Sequence, residues 1–573
     1  MNYKQIYEEW LRNPYFDTDT NLELESIKYN EKEIEDRFYK DLKFGTAGLR
    51  GIIGAGTNRI NKYVVRRATQ GLANYIMIQG KEDQGVAIAF DSRRMSPQFA
   101  KEAALTSCAN GIKAYLFESL RPTPELSFAV RYLDCVAGIN ITASHNPPEY
   151  NGYKVYWEDG AQVTPPHDTG IMAEVAKVTD FAQVKTMDED DARALGLFNI
   201  IGTDFDEKFI ANVKAQSIHP EVIPEMAKDI KIVYTPLHGT GNVPVRRVLK
   251  DLGFTQVYVE PQQKIPDGSF PTVSYPNPED PKAWELALKL AKDVDADIVL
   301  ATDPDADRLG VYAKDTKTGE YMSFTGNMSG MLIAEYIFRE RQATGTMPEN
   351  PALVTTIVTT DLAKAISAAY NARCIEVLTG FKYIGEQIKI FEQTGCNNYV
   401  FGLEESYGCL TGTYARDKDS IVAVMMLCEV AAFYKKQGKT LCDAMQDLYE
   451  KYGYYKEGLA TLELKGVDGA AEIQKKMENF RSNPPKELGG FKVLASRDYK
   501  ADERVDLVTG EKTSTGLPSS NVLYYELEDN AWCCVRPSGT EPKIKFYFGV
   551  KGESISDAEE KLAGLREDML NNQ

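Results

Sequence analysis

Apolar residues along the chain fall into short runs rich in β-branched side chains, each closing on a Gly-, Pro- or Asp-rich loop and followed by a stretch of helical period. Val86-Ala-Ile-Ala-Phe90, Ile230-Lys-Ile-Val-Tyr234, Ile298-Val-Leu-Ala301 and Ala352-Leu-Val-Thr-Thr-Ile-Val358 are such runs. Strand followed by helix, repeated, predicts α/β layers around largely parallel or mixed sheets. Met95 to Cys108 reads as a helix, with Ser96 as its cap and Pro97 as its first residue. Runs starting near Val86, Lys231 and Ala352 lie 145 and 121 residues apart, which predicts three related α/β units. After about Gln446 the pattern turns to alternation, in Val522-Leu-Tyr-Tyr-Glu-Leu527 and Lys543-Ile-Lys-Phe-Tyr-Phe548, as in a smaller α+β unit with antiparallel strands. The acidic stretch Asp188 to Asp191 fits a solvated surface or the start of a helix.

Length agrees with four units, since 573 residues at about 150 per domain allow that number. The expected divisions are residues 1–207, 208–322, 323–446 and 447–573. Hydrophobic residues make up 43% and charged residues 26%, and the longest apolar run, Ile421 to Cys428, is too short to cross a bilayer. The first residues, MNYKQIYEEWLRN, lack the apolar core of a secretory signal, and nine thinly spread cysteines predict reduced thiols in the cytoplasm. Sixty-six basic against 84 acidic residues leave a net charge of −18, which argues against nucleic acid and anionic membranes as partners. The adjacent Cys533 and Cys534 have no second cysteine pair to complete a zinc site.

Four segments carry chemistry. Asn140-Ile-Thr-Ala-Ser-His-Asn-Pro-Pro-Glu-Tyr-Asn-Gly-Tyr-Lys-Val-Tyr156 sets Ser144 in a loop stiffened by two prolines, with Lys154 placed to fold back toward it. A Ser–His hydrolase is the competing reading, and the Gly-x-Ser-x-Gly elbow it needs is absent. Asp303-Pro-Asp-Ala-Asp-Arg-Leu-Gly310 follows an apolar strand, and three carboxylates at alternate positions converge on one hard divalent cation. An EF-hand is excluded, because Arg308 stands where that loop needs Gly and Lys314 where it needs Glu. Phe401-Gly-Leu-Glu-Glu-Ser-Tyr-Gly408, followed by Ala415-Arg-Asp-Lys-Asp419, offers carboxylates and a hydroxyl to a polyol, or forms a structural turn. Arg536-Pro-Ser-Gly-Thr-Glu-Pro-Lys-Ile-Lys545 gathers a guanidinium, hydroxyls and backbone N–H groups into an anion nest, with no Walker loop for a nucleotide.

Taken in order, and with Phe44-Gly-Thr-Ala-Gly-Leu-Arg-Gly51 ahead of them, these motifs resemble those of the α-D-phosphohexomutases, the phosphoglucomutase and phosphomannomutase superfamily. The resemblance implies three related α/β domains with mixed sheets and a C-terminal α+β domain around a central cleft, each giving one loop. It implies that Ser144 is the residue phosphorylated in the active enzyme. Asp303, Asp305 and Asp307, with Ser144, would hold one Mg²⁺ per chain. Arg50 and Lys154 would be cations near the phosphoserine, and Arg308 follows the metal loop. Glu404 and Ser406 would contact sugar hydroxyls, while Arg536, Ser538, Gly539, Thr540 and Lys545 would hold the phosphate that does not react. His145 and Lys418 are candidates for acid–base or electrostatic work, as is Lys382 in Thr379-Gly-Phe-Lys382; which group takes the proton stays open. The implied substrates are glucose 1-phosphate and glucose 6-phosphate, with glucose 1,6-bisphosphate as primer. Two departures, Pro148-Glu149-Tyr150 after the serine core and Leu403 before the Glu-Glu-Ser triplet, resemble the branch that includes phosphopentomutases and glucose-1,6-bisphosphate synthases. A phosphomannomutase, or a phosphosugar-binding regulator without activity, are further alternatives. A dianionic substrate on so acidic a chain predicts that Arg50, Lys154, Arg308, Lys382, Arg416, Lys418, Arg536, Lys543 and Lys545 gather at one cleft with the acids outside it.

Overall fold

The structure is a computed structural model that describes residues 2–45, 48–464, 469–538 and 543–571. Three sheets repeat one topology. In each, a first parallel strand (Val86–Phe90, Ile232–Thr235, Pro351–Thr356) lies between a second (Ala114–Phe117, Val257–Val259, Arg373–Val377) and a third (Ala137–Ile141, Ile298–Thr302, Asn398–Glu404). The third strand then pairs antiparallel with a fourth: Tyr150–Trp157, Leu309–Lys314 or Gly408–Thr411. Helices cover both faces, so strands such as Val86–Phe90 and Ile298–Thr302 are buried at every position and read as unbroken apolar runs. The fourth unit is an eight-stranded antiparallel sheet with helices Gly469–Ser482 and Ile555–Asn571 packed on it. Cys533 and Cys534 lie on its strand Trp532–Pro537, one in the core of that unit and the other in its seam with the third, as the two-residue period of a strand requires.

One detail differs from the sequence reading. Ser96 is the first residue of helix Ser96–Ala109, not its cap, because its hydroxyl is spent on the Asp91 carboxylate (2.9 Å). The apolar run Ile421 to Cys428 belongs to helix Ser420–Lys435, which buries 14 of its 16 residues. A helix apolar all round has to be enclosed on every side, and this one packs against helices Gly326–Thr344, Asn242–Leu252 and Val222–Met226. Its single carboxylate, Glu429, accepts from the N–H of Ile218 (2.9 Å) and His219 (2.8 Å) and from the Tyr336 hydroxyl (2.8 Å).

One apolar core runs through the first three units, from Phe128 and Tyr156 through Val245 and Leu300 to Ile421 and Leu448. The fourth meets the third through Ile357, Val358 and Leu378 packed on Tyr499, Val522, Tyr524, Trp532, Cys534 and Tyr547. Helices Tyr3–Arg12, Thr18–Ser26 and Glu31–Phe38 pack on the first unit around Trp10, which stacks on Phe16.

Candidate active site

Each of the first three units presents its chemistry in the connection to an antiparallel strand, residues 142–149, 303–308 and 405–407 between third and fourth strands, and the last unit presents it at the facing ends of strands Trp532–Pro537 and Lys543–Gly552. In the first of these, Ser144 is buried with φ of 50°, a left-handed conformation uncommon for a residue with a Cβ. Its N–H donates to Thr142 Oγ1 (2.8 Å), which in turn donates to Asp91 (2.6 Å). Gly152 makes room opposite, since a Cβ there would lie 2.3 Å from the Thr142 carbonyl oxygen. Ser144 Oγ donates to Asp303 Oδ2 (2.8 Å) and lies 3.1 Å from His145 Nδ1. His145 packs edge-on against Tyr275, and burial, then Arg308 and Arg50, hold its imidazole well below the usual range.

The aspartate loop closes on itself: Asp303 Oδ1 accepts the N–H groups of Asp307 and Arg308, both at 3.1 Å. Asp305 Oδ2 accepts from Lys154 Nζ and from Thr123 Oγ1, each at 2.8 Å, and Asp307 Oδ2 lies 3.2 Å from Lys418 Nζ. Asp305 Oδ1 and Asp307 Oδ1 are buried with no hydrogen-bond partner. Two such atoms cost about 1–3 kcal/mol each unless something else meets them. Candidate ligand atoms of the three carboxylates lie within 4.8 Å of one another, and burial with the charges of Asp305 and Asp307 pushes Asp303 well above the usual range. A hard divalent cation satisfies both orphaned oxygens and the crowded charge, so this donor set fits a metal.

In the third connection, Glu404 is buried and accepts from Ser406 Oγ (2.9 Å). Its neighbour Glu405 accepts from Thr356 Oγ1 (3.0 Å), and burial, then Glu404, raise its carboxyl to about 7. Lys418 Nζ sits between Asp417 (3.1 Å), Asp307 and Glu404 (3.7 Å), above the Phe381 ring. Against burial, those three carboxylates push it well above the usual lysine range, so it remains an ammonium. In the last unit Arg536 and Lys545 face each other across paired strands, and Ser538 N–H donates to Lys543 C=O (2.8 Å). Burial and then Arg536 pull Lys545 down. Gly539 and Thr540 lie outside the described residues.

These groups surround one cleft of about 1700 Å³, which Arg50, Ser144, His145, Lys154, Asp307, Arg308, Glu404, Ser406, Lys418, Arg536, Ser538, Lys543 and Lys545 line. Asp303 and Asp305 lie beneath its floor, fully buried. Lys382 and Arg416 do not line it. Lys382 points its ammonium over Tyr383, and Arg416 is buried in hydrogen bonds to the Thr413 and Ala415 carbonyls and the Glu392 carboxylate. Nor are acids kept outside: among the described residues nine basic and eight acidic ones line the cleft, so the local balance there is near neutral rather than strongly positive. Several of these cations are paired with carboxylates: Lys154 with Asp305, Lys418 with Asp307, and Arg308, whose Nη1 donates to Glu279 (2.6 Å).

Sequence reasoning missed several participants. Asp91 and Arg93 organise the serine loop, Thr123 holds Asp305, Tyr275 and Glu279 reach in from the long connection 260–280, and Asp417 anchors Lys418. A signal was present for Asp91 and Arg93, which follow a buried parallel strand at its carboxyl end, where open α/β sheets place ligands. Tyr275 and Glu279 gave none, because their loop has no periodicity.

Comparison with known proteins gives a consistent result. Models of the α/β/α domains I, II and III of phosphoglucomutase/phosphomannomutase match residues 41–181, 207–318 and 325–452. The chain is 37% identical over 540 residues to a phosphoglucomutase of Staphylococcus epidermidis, covering 92% of this chain and 96% of that one. It is 36% identical over 538 residues to a phosphoglucomutase of Staphylococcus aureus, covering 93% and 94%. Among solved structures, parafusin, a phosphoglucomutase of Paramecium in its open form, superposes with a TM-score of 0.67 at 18% identity, covering 93% of this chain and 94% of that one. A phosphoglucomutase/phosphomannomutase family protein of Burkholderia thailandensis gives 0.63 at 20% identity, covering 92% and 96%.

Proposed function

Because the chain belongs to the phosphoglucomutase/phosphomannomutase family, we propose that it interconverts glucose 1-phosphate and glucose 6-phosphate through a phosphoserine at Ser144, primed by glucose 1,6-bisphosphate. The observation that carries this reading is the Ser144 hydroxyl lying 2.8 Å from Asp303 at the edge of a triad with two orphaned carboxylate oxygens. Asp303, Asp305 and Asp307, with an oxygen on Ser144, would hold one Mg²⁺, which supplies charge to offset that building on the transferring phosphoryl group.

The residues divide the remaining work. In the forward step the oxygen of a free sugar hydroxyl bonds to phosphorus as the bond from phosphorus to Ser144 Oγ breaks; the hydroxyl gives up its proton and the serine oxygen receives one. Lys154, Arg50 and Arg308 surround the equatorial oxygens with positive charge. Lys418, held as an ammonium, acts as a fixed charge rather than a base. His145, in contact with Ser144 Oγ, is the group placed to exchange its proton. Glu404 and Ser406 accept and donate to sugar hydroxyls, and Arg536, Ser538 and Lys545 hold the phosphate that does not react. The bisphosphate then turns and returns its other phosphate to Ser144.

The Leu403 departure bears on packing, not on the sugar: the side chain is buried, and a Cβ on Gly330 would lie 2.6 Å from it. Glucose therefore stays ahead of pentose and mannose phosphates. The deciding experiment is kcat/KM for glucose 1-phosphate, mannose 1-phosphate and ribose 1-phosphate on Mg²⁺-loaded, primed protein. Glucose 1-phosphate is expected to lead, and a higher value for ribose 1-phosphate would overturn the substrate assignment. No helix among the described residues is long and apolar enough to cross a membrane. A net charge of −18 and nine free cysteines fit a reducing cytoplasm and no nucleic-acid partner.

A further inference from the structure

The serine loop has a shortage of donors. Pro147 and Pro148 contribute no N–H, and the turn from residue 142 to 149 belongs to no ladder, so its carbonyls need partners from elsewhere. One side chain meets three of them, and Arg94 Nη2 donates to a fourth, that of Pro148 (3.3 Å). Arg93, fully buried, donates from Nη2 to the carbonyls of Ser144 (2.5 Å) and Asn146, and from Nη1 to those of Pro147 (2.8 Å) and Tyr150 (3.1 Å). The other end of the loop hangs on Asp91, whose carboxylate lies 3.5 Å from Arg93 Nε and accepts from Thr142.

Arg93 is also pressed from outside by the second unit, which carries the aspartates. The Phe270 ring lies 5.0 Å from its guanidinium, and Gly268 pairs with Arg93 in an isolated parallel bridge. Approach there is close: a Cβ on Gly268 would come within 2.4 Å of the Arg94 nitrogen and 2.7 Å of the Arg93 carbonyl carbon. Both residues belong to the connection 260–280, which has neither strand nor helix, and connections that long within a compact fold are uncommon without a task.

We propose that Arg93 is a positioning residue that holds Ser144 over the aspartate triad, and that the Gly268–Phe270 turn of the second unit sets Arg93 in place. The inference rests on Ser144 being the phosphoryl donor. A planar guanidinium reaches four carbonyls at once because its donors diverge in one plane; an ammonium donates from a single point and cannot. Without the clamp, the left-handed conformation of Ser144 loses its support, and Oγ swings away from its line of transfer.

The test uses full-length, Mg²⁺-loaded protein primed with glucose 1,6-bisphosphate, with Arg93→Lys and Gly268→Ala as the variants. For Arg93→Lys, kcat falls about 100-fold, as for a misplacement of about 1 Å, while KM for glucose 1-phosphate stays within about threefold. In single-turnover mixing with glucose 1-phosphate, intact-mass measurements show its phosphoserine discharged about 100-fold more slowly than that of the parent. Gly268→Ala, which alters no charge, shows the same split at about 10-fold in kcat. The proposal is overturned if kcat per folded molecule and the rate of phosphoserine discharge match the parent in both variants, or if KM rises in step with the fall in kcat. A parent protein that takes no phosphate at Ser144 defeats the donor reading instead, and the mass spectrum separates the two failures.

Discussion

Where Ser144 meets Asp303, side chains from two units are almost wholly buried and tied by Lys154, Thr123 and Arg93. Across the same cleft, Arg536 and Lys545 belong to a unit whose apolar seam with the rest holds nine buried residues among those described, whereas one continuous apolar core runs through the first three units. Charge transfer benefits from groups that need no rearrangement at the moment of reaction. Phosphate capture and release need the opposite, a wall able to move. The two sides of the cleft are thus built to different tolerances, and substitutions on each should fail differently.

Ser144→Ala tests the rigid side most severely: turnover with primer should fall by at least about 10⁴-fold with the fold retained, since no covalent donor remains. Measurable turnover near the parent level would end the comparison. Chelating divalent cations should lower kcat by about 10³-fold, reversed by Mg²⁺, with the unoccupied carboxylates repelling one another. On the side of the thin seam, Arg536→Ala should raise KM for glucose 1-phosphate about 10- to 100-fold, the value of a charge-assisted contact, with kcat much less affected. A pure kcat defect there would show that this wall too is part of the reacting machinery. Small-angle scattering with the bisphosphate should show a radius of gyration smaller by roughly 3%, as expected if the last unit swings inward; identical profiles would make the thin seam rigid after all.

The smallest effect concerns Glu405, between the two sides, with its carboxyl raised from the ordinary 4.5 to about 7. A raised carboxyl favours the folded state below 4.5, where both states are protonated, and that advantage is lost as pH rises through 7. Glu405→Gln should therefore gain stability over the parent between pH 5 and pH 8, by about 1 kcal/mol after discounting for a half-buried group. Melting temperatures at the two pH values provide the check.

What was legible in the chain follows physical lines. The aspartates were readable because alternate carboxylates after a buried strand have few other uses, and the three units because parallel strands covered on both faces leave unbroken apolar runs. Lys382 and Arg416 were misplaced for a common reason: charge and nearness to a motif say nothing of direction, and Arg416 spends its guanidinium on carbonyls of its own loop. Arg93 escaped because a residue that acts by holding backbone carbonyls leaves no pattern in side-chain chemistry. Glu279 escaped because the connection that brings it to Arg308 has no period to extrapolate.

The placement of three functional loops between a parallel strand and its antiparallel neighbour limits which changes of length the chain tolerates. A residue inserted between a strand and a helix is absorbed by the surface. A residue inserted after Ser144 would slide strand Tyr150–Trp157 by one position against Ala137–Ile141 and Gly48–Ile52, turning every side chain to the opposite face. Lys154 would leave Asp305, and Tyr153 would take its place. The spacing from Ser144 to Lys154 is thus fixed by pleat parity, and insertions or deletions of odd length are barred there even where every catalytic residue is kept.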